Sequence, residues 1–283
     1  MSVYSFEHMK GRVCAITGGA GVIGTAIVKS LSAVGVKVAV LDLVKDLADK
    51  SAKLLFDETG TEAMGVEANV LDKNSLEKAK EAVNNRFGKI DILINCAGGN
   101  SPQATTKLEF IEKENLGKLE DTFYGLNIEG FRKVFDLNFI GTLLPTMVIT
   151  KDMIEKGGGS VLNVSSMNSF RPLTKIPAYS AAKASINNFT EWLAVHLAKM
   201  NIRVNAIAPG FFLTNQNRFL LIDEKTGQLT ARGNKILAAT PMGKFGEPDD
   251  LQGAVLYLLS DLSRFVTGVV IPIDGGFNVY SGV

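Results

Sequence analysis

The stretch Val13-Cys14-Ala15-Ile16-Thr17-Gly18-Gly19-Ala20-Gly21-Val22-Ile23-Gly24 passes from an apolar run into a glycine-rich turn, and Val22, Ile23, Ala26, Ile27, Leu31 and Val34 then recur at helical spacing. A strand that turns through glycines directly into a helix lets the backbone approach a pyrophosphate and offers it the unpaired N–H groups of the helix start. The alternation continues outward from there. Val36 to Leu41, Ile90 to Ala97, Ser160 to Val164, Ile202 to Ala208 and Val269 to Ile273 read as further strands. Leu76, Ala79, Val83 and Phe87 mark one helix, and Tyr179 to Met200 and Pro248 to Leu259 read as others. Near-continuous apolar strands between helices predict an α/β fold, a doubly wound parallel sheet with helices on both faces. No linker or repeat divides the chain, so a single domain over residues 1–283 is expected.

Of the 283 residues, 46% are apolar and 21% charged, and 30 Lys plus Arg against 29 Asp plus Glu leave a net charge of +1. This balance excludes charge-driven disorder and gives no electrostatic reason to expect nucleic acid or an anionic membrane as partner. The start, MSVYSFEHMKGR, has no apolar core of signal-peptide length, and polar residues or glycine interrupt every apolar run before it could span a bilayer. Cys14 and Cys96 lie in apolar stretches and read as reduced, buried thiols, which points to a cytoplasmic protein. His8 and His196 stand in no metal-ligand spacing, so no metal is expected. Two stretches break the alternation, 98–130 and 211–234. Both follow strand carboxyl ends, where open sheets place ligands, and they read as substrate-pocket walls.

Asp42 ends the second strand, 18 residues after Gly24, where a carboxylate accepts hydrogen bonds from an adenosine ribose diol. The same charge repels a 2′-phosphate, and neither Leu41 nor Leu43 offers a compensating cation, so NAD is favoured over NADP. A second group carries reaction chemistry. Tyr179 and Lys183 are four residues apart, on one helix face. Ser166 ends a strand 13 residues before Tyr179, and Asn138 lies in the amphipathic segment FDLNFIG.

These features together resemble the short-chain dehydrogenase/reductase family over essentially the whole chain. The matches run in order from Thr17-Gly18 through Asn95-Cys96-Ala97-Gly98, Asn138, Ser166, Tyr179 with Lys183, Pro209-Gly210 with Thr214, and Thr267-Gly268 to Asp274-Gly275-Gly276. The resemblance implies a Rossmann fold of seven parallel strands, the third at Ala63 to Ala68, and a catalytic tetrad of Asn138, Ser166, Tyr179 and Lys183. It also implies cofactor contacts from Gly18, Gly21, Val22, Ile23, Gly24, Asp42, Leu43, Asn69, Val70, Asn95, Ala97, Gly98, Tyr179, Lys183, Pro209, Gly210, Phe212 and Thr214. Tyr179 would be the general acid/base, Lys183 would stabilise its phenolate and hold the nicotinamide ribose, Ser166 would donate to the substrate oxygen, and Asn138 would support a proton relay. A homotetramer built through the helices around Asn138 and Tyr179 is implied as well.

This sequence departs from the family pattern in three places. Val22 stands where the turn usually has glycine, with Gly21 one place earlier; Asn69 replaces the adenine-side Asp; and the loop from Gly98 to Asn138 is long. The shifted glycine, that loop and the run Pro209 to Leu221 are similar to a narrower branch, the D-mannonate oxidoreductases of the short-chain type, or fructuronate reductases, which interconvert D-mannonate and D-fructuronate. Such a substrate needs a cation for its carboxylate and polar groups for its hydroxyls. Arg171 and Arg218 are the candidates for the first, and Asn100, Ser166, Asn168 and Gln216 for the second. Another polyol or aldonate dehydrogenase, such as a gluconate 5-dehydrogenase, or a dinucleotide-sensing protein without turnover stay open as alternatives, and an oxoacyl-carrier reductase is disfavoured.

Overall fold

A computed structural model describes residues 5–214 and 218–282. Seven strands form one parallel sheet: β1 (Val13–Thr17), β2 (Lys37–Asp42), β3 (Ala63–Glu67), β4 (Ile92–Asn95), β5 (Gly159–Val164), β6 (Ile202–Pro209) and β7 (Val270–Ile273), in the order β3-β2-β1-β4-β5-β6-β7. The chain leaves β1 toward β2 on one side and resumes with β4 on the other, with Cys14 opposite both Val38 and Ile92. At that reversal the loops above the carboxyl ends part, leaving a crevice.

Because side chains alternate along a strand, each strand feeds both faces. Cys14, Ile16, Val38, Val40, Ile92 and Ile94 pack beneath α1 (Val22–Ala33) and α9 (Gln252–Leu259). Val13, Ala15, Ala39, Leu41 and Leu93 meet α3 (Lys73–Phe87), α5 (Gly141–Lys156) and α6 (Pro177–Leu197) on the other face. Ile16, Ile92 and Ile94 are fully buried, so truncating any one of them to alanine costs about 2–5 kcal/mol. The remaining helices are α2 (Lys45–Thr59), α4 (Ile128–Phe135), α7 (Arg218–Leu221) and α8 (Ala231–Ala238).

Several boundaries differ from the sequence expectation for identifiable reasons. The fourth strand stops at Asn95 because the hydroxyl of Thr17 accepts the N–H groups of both Cys96 and Ala97, each at 3.2 Å, and draws the chain out of the ladder. The helix expected from Tyr179 starts two residues earlier, at Pro177, whose missing N–H costs nothing in the first turn. Its end, Ala198–Met200, tightens into a 3₁₀ turn, as does Pro248–Leu251 before α9. The segment around Asn138 is a π turn, Asp136–Ile140, inserted between α4 and α5, and Pro145 lies buried in the second turn of α5. The 98–130 stretch contains four 3₁₀ turns, the first at Pro102–Ala104 and the last at Phe123–Gly125.

A buried polar network crosses the centre of the sheet. The Asn95 amide donates to Thr146 Oγ1 at 2.9 Å and to Asn163 Oδ1 at 2.8 Å, and the Asn163 amide donates to Thr190 Oγ1 at 2.9 Å. These bonds tie α5 and α6 to β4 and β5, and α6 carries Tyr179 and Lys183.

Candidate active site

The turn after β1 needs glycine at two points. Gly18 has φ +62°, and a Cβ there would lie 2.8 Å from Ala97 Cα; a Cβ on Gly24 would lie 2.6 Å from the Gly18 carbonyl oxygen. Both contacts are too close for a side chain, so the start of α1 settles directly on the turn. Gly21 is different. Its φ of −72° is open to any residue, and its N–H closes the turn onto the Gly18 carbonyl at 3.1 Å. Val22 opens α1 with its side chain on the cleft, so the shifted glycine leaves the cradle intact.

That cradle is one end of a cleft of about 1010 Å³ along the carboxyl edge of the sheet. Gly18, Gly21, Val22, Ile23, Gly24, Asp42, Leu43, Asn69, Val70, Ala97, Gly98, Pro209, Gly210, Phe212 and Thr214 all line it. Among the described residues Asp42 accepts two long backbone bonds, from Ala20 at 3.3 Å and Val44 at 3.4 Å, which leaves lone pairs for a ribose diol. Asn69 accepts the Leu71 N–H through its carbonyl oxygen at 2.9 Å, and the second lone pair of that oxygen remains for an adenine amino group. The glycine cradle, the helix start and Asp42 fit a dinucleotide. Asn95 does not reach it. That residue is 2% exposed, and its side chain belongs to the network inside the sheet, so its role is structural.

The middle of the cleft is made by β5 and α6. Ser166 follows β5, and its Oγ accepts the Asn168 N–H at 3.2 Å. Lys183 is 4% exposed, donates to the Val164 carbonyl at 2.7 Å, and holds its Nζ 5.6 Å from the centre of the Tyr179 ring. Burial raises the Tyr179 phenol above its ordinary value, with a hydrogen bond to Ser166 acting the other way. Burial also brings Lys183 from 10.5 down to about 8. The phenol is therefore protonated near neutrality, the form needed to protonate an alkoxide, and Lys183 keeps its charge below about pH 8. Cys96 lines the same cleft, its thiol raised to about 11 by burial, with the Lys183 charge opposing.

Asn138 is fully buried and absent from the cleft wall. Its amide donates to the carbonyls of Gly99 and Val134, each at 2.7 Å, and its Oδ1 accepts the Gly99 N–H at 3.2 Å. Both amide hydrogens are spent on backbone, so the Asn138 side chain acts by holding the loop after β4 against Lys183. Indeed, a Cβ on Gly98 would meet Asn138 Oδ1 at 2.6 Å and Lys183 Nζ at 3.3 Å.

The substrate candidates divide. Asn100, Ser166 and Asn168 line the cleft, and the buried Oδ1 of Asn168 has no partner among the described residues. Arg171 is directed elsewhere: the 3₁₀ turn Met167–Ser169 swings the chain outward, and its guanidinium donates to the Tyr280 carbonyl at 3.1 Å. Arg218 is exposed on α7 and forms no part of the cleft wall. Gln216 lies outside the described residues. The sequence reading missed Arg232, on α8, which does line the cleft. The available signal was Thr230, which caps α8 by accepting the Gly233 N–H at 3.0 Å ahead of the apolar pair Ile236 and Leu237.

Known proteins share this arrangement. A family model described as enoyl-(acyl carrier protein) reductase matches residues 18–278. A crystal structure with bound NAD, of a Haemophilus influenzae protein provisionally assigned as a D-mannonate oxidoreductase, superposes with a TM-score of 0.92 at 48% identity, covering 98% of this chain and 99% of that one. An uncharacterized oxidoreductase, UxuB, of Bacillus subtilis is 47% identical, covering 98% of each sequence. The 5-keto-D-gluconate 5-reductase of Escherichia coli is 31% identical, covering 96% of this chain and 97% of its own. Fold, cradle and tyrosine–lysine pair define a nucleotide-dependent enzyme that moves a hydride between alcohol and ketone. The chain belongs to the short-chain dehydrogenase/reductase family.

Proposed function

We propose that the protein is an NAD-dependent oxidoreductase interconverting D-mannonate and D-fructuronate. The observation that carries the hydride-transfer part is the meeting of Tyr179, Ser166 and Lys183 with the dinucleotide cradle in one cleft. NADH, when bound, supplies the hydride. Ser166 and Tyr179 line the same cleft, so two hydroxyls face the space where the ketone oxygen gains charge, and the Tyr179 proton neutralises it. The Lys183 charge offsets the phenolate left behind. Asn138 keeps Gly98 and Gly99 from drifting into that space.

The substrate assignment rests on two supports. Asn100 and Asn168 line the cleft and bring amide groups to it, which suits a polyhydroxylated substrate. The 48% identical Haemophilus influenzae protein, provisionally assigned as a D-mannonate oxidoreductase, supports the class. Asp42 supports NAD over NADP, because Lys183 and Arg232 are the two side-chain cations on the described cleft wall and neither neighbours Asp42 in sequence. A second reading, reduction of 5-keto-D-gluconate, is favoured by the Escherichia coli relative. Initial rates with D-fructuronate, 5-keto-D-gluconate and D-fructose, each with NADH and NADPH, decide between them. D-Fructuronate with NADH should lead by about tenfold or more in kcat/KM. A lead for 5-keto-D-gluconate establishes the second reading, and intact NADH binding without turnover of any ketone makes the protein a sensor.

We further infer a homotetramer formed through α5 and α6, whose Met147, Trp192 and Val195 are exposed. No helix among the described residues is long and apolar enough to cross a membrane, and the free Cys14 and Cys96 support a cytoplasmic setting. Light scattering on the purified protein tests the assembly.

A further inference from the structure

We propose that Arg232 recognises the substrate carboxylate and sets the preference for sugar acids over neutral ketoses, an inference that rests on the sugar-acid reading above. The helix that carries it is fixed from two sides. A Cβ on Gly233 would lie 2.3 Å from the Leu221 carbonyl oxygen, so the first turn of α8 is pressed against α7. One turn along, Lys235 donates to both oxygens of Glu109, at 2.8 and 2.6 Å, and Glu109 also accepts the Thr174 hydroxyl at 3.4 Å. The long loop after β4, the segment after β5 and α8 thus meet at one carboxylate.

The two cations of this helix have opposite fates. Lys235 is neutralised by the protein's own Glu109, whereas Arg232 forms no ion pair or hydrogen bond among the described residues and stands on the cleft wall. The single carboxylate on that wall, Asp42, is at the end of β2, on the far side of the sheet. No described carboxylate pairs with Arg232, which leaves its guanidinium open to an anion in the cleft, and a guanidinium fork matches a carboxylate in two parallel bonds. Cofactor phosphates are the competing anion. They belong at the start of α1 above β1, which is three strand spacings, about 14 Å, from β6, the strand whose carboxyl end leads on toward Arg232.

The test uses the full chain and its Arg232→Ala and Arg232→Lys variants. Three quantities are compared: the Kd for NADH, the ratio of kcat/KM for D-fructuronate over D-fructose, and the affinity of the NADH complex for D-gluconate, an abortive ligand read by calorimetry without turnover. Arg232→Ala should lower the acid-to-neutral ratio by about 100-fold, mainly through KM, and weaken D-gluconate by a similar factor, while Arg232→Lys recovers part of both. An unchanged ratio overturns the assignment, as does an equal loss of NADH affinity, which would make Arg232 a phosphate contact. If the wild type binds D-gluconate through Arg232 yet does not turn over D-fructuronate, the substrate reading fails and the role of Arg232 stands. A wild-type complex that binds no aldonate overturns both.

Discussion

Lys183 gives the protein a pH-dependent stability that can be isolated by one substitution. In the nucleotide-free enzyme its ammonium is buried against the Val164 carbonyl, and burial lowers its pKa from 10.5 to about 8. A cation whose folded pKa is depressed is protonated more readily in the unfolded chain between those two values, so folding stability rises with pH across that window. The interval corresponds to about 3 kcal/mol, of which about 1 kcal/mol is recovered between pH 7 and pH 9. Cys14, Cys96 and Tyr179 act in the opposite sense, because burial raises all three, and they draw stability down as the unfolded chain ionises. They are present in wild type and in Lys183→Met alike. The difference between the two proteins isolates the lysine, and stopping at pH 9 stays well below the ionisation of Cys96. Urea unfolding followed by circular dichroism at pH 7, 8 and 9, without nucleotide, should show wild type gaining about 1 kcal/mol on the variant. Two parallel stability curves, with a gap constant to within about 0.3 kcal/mol, would refute the buried-charge argument.

Replacing Asp42 with alanine removes the ribose acceptor and its repulsion of a 2′-phosphate. The KM for NADH should rise by about tenfold or more and the NADPH-to-NADH ratio of kcat/KM should climb; a ratio that stays fixed places ribose recognition elsewhere. Asn138→Ala strips partners from Gly99 and Val134, so thermal or urea unfolding should report a loss of about 2–4 kcal/mol along with a fall in kcat. Glu109→Ala releases α8 from the long loop; KM for sugar acids should rise severalfold with kcat little changed, and a matching fall in kcat would point to general unfolding instead. Gly24→Ala drives a methyl into the Gly18 carbonyl and should abolish NADH binding measured by fluorescence while the protein remains folded by circular dichroism.

The architecture was legible because a parallel sheet buried on both faces writes itself as apolar runs, and five of the six strands read from such runs end within one residue of their observed bounds. The strand expected from Ile90 to Ala97 is the informative failure: a Thr17 hydroxyl shortened it, and no pattern within the strand signals that capture. Motif matching also reports position without orientation. Asn95 ends β4 in register with Thr17 and Asn163, and its side chain turns into the protein rather than toward the cofactor. Arg171 and Arg218 are near Ser166 and Thr214 in sequence, and neither lines the cleft. A 3₁₀ turn redirects the first, whereas Arg232, farther along the chain, is brought back by a helix whose start only its threonine cap announces.

The hydrogen-bonded asparagines and threonines inside the sheet act as an index mark. Thr190 is eleven residues beyond Tyr179 on the same helix, three turns or about 16 Å away, yet its bond to Asn163 fixes where along the sheet that helix must stop. Apolar side chains pack almost as well after a small slide, while a directional bond does not survive one. The accuracy of this active site is therefore stored remotely, in a handful of amides and hydroxyls, and the surrounding hydrocarbon is free to drift over evolutionary time so long as its volume is kept.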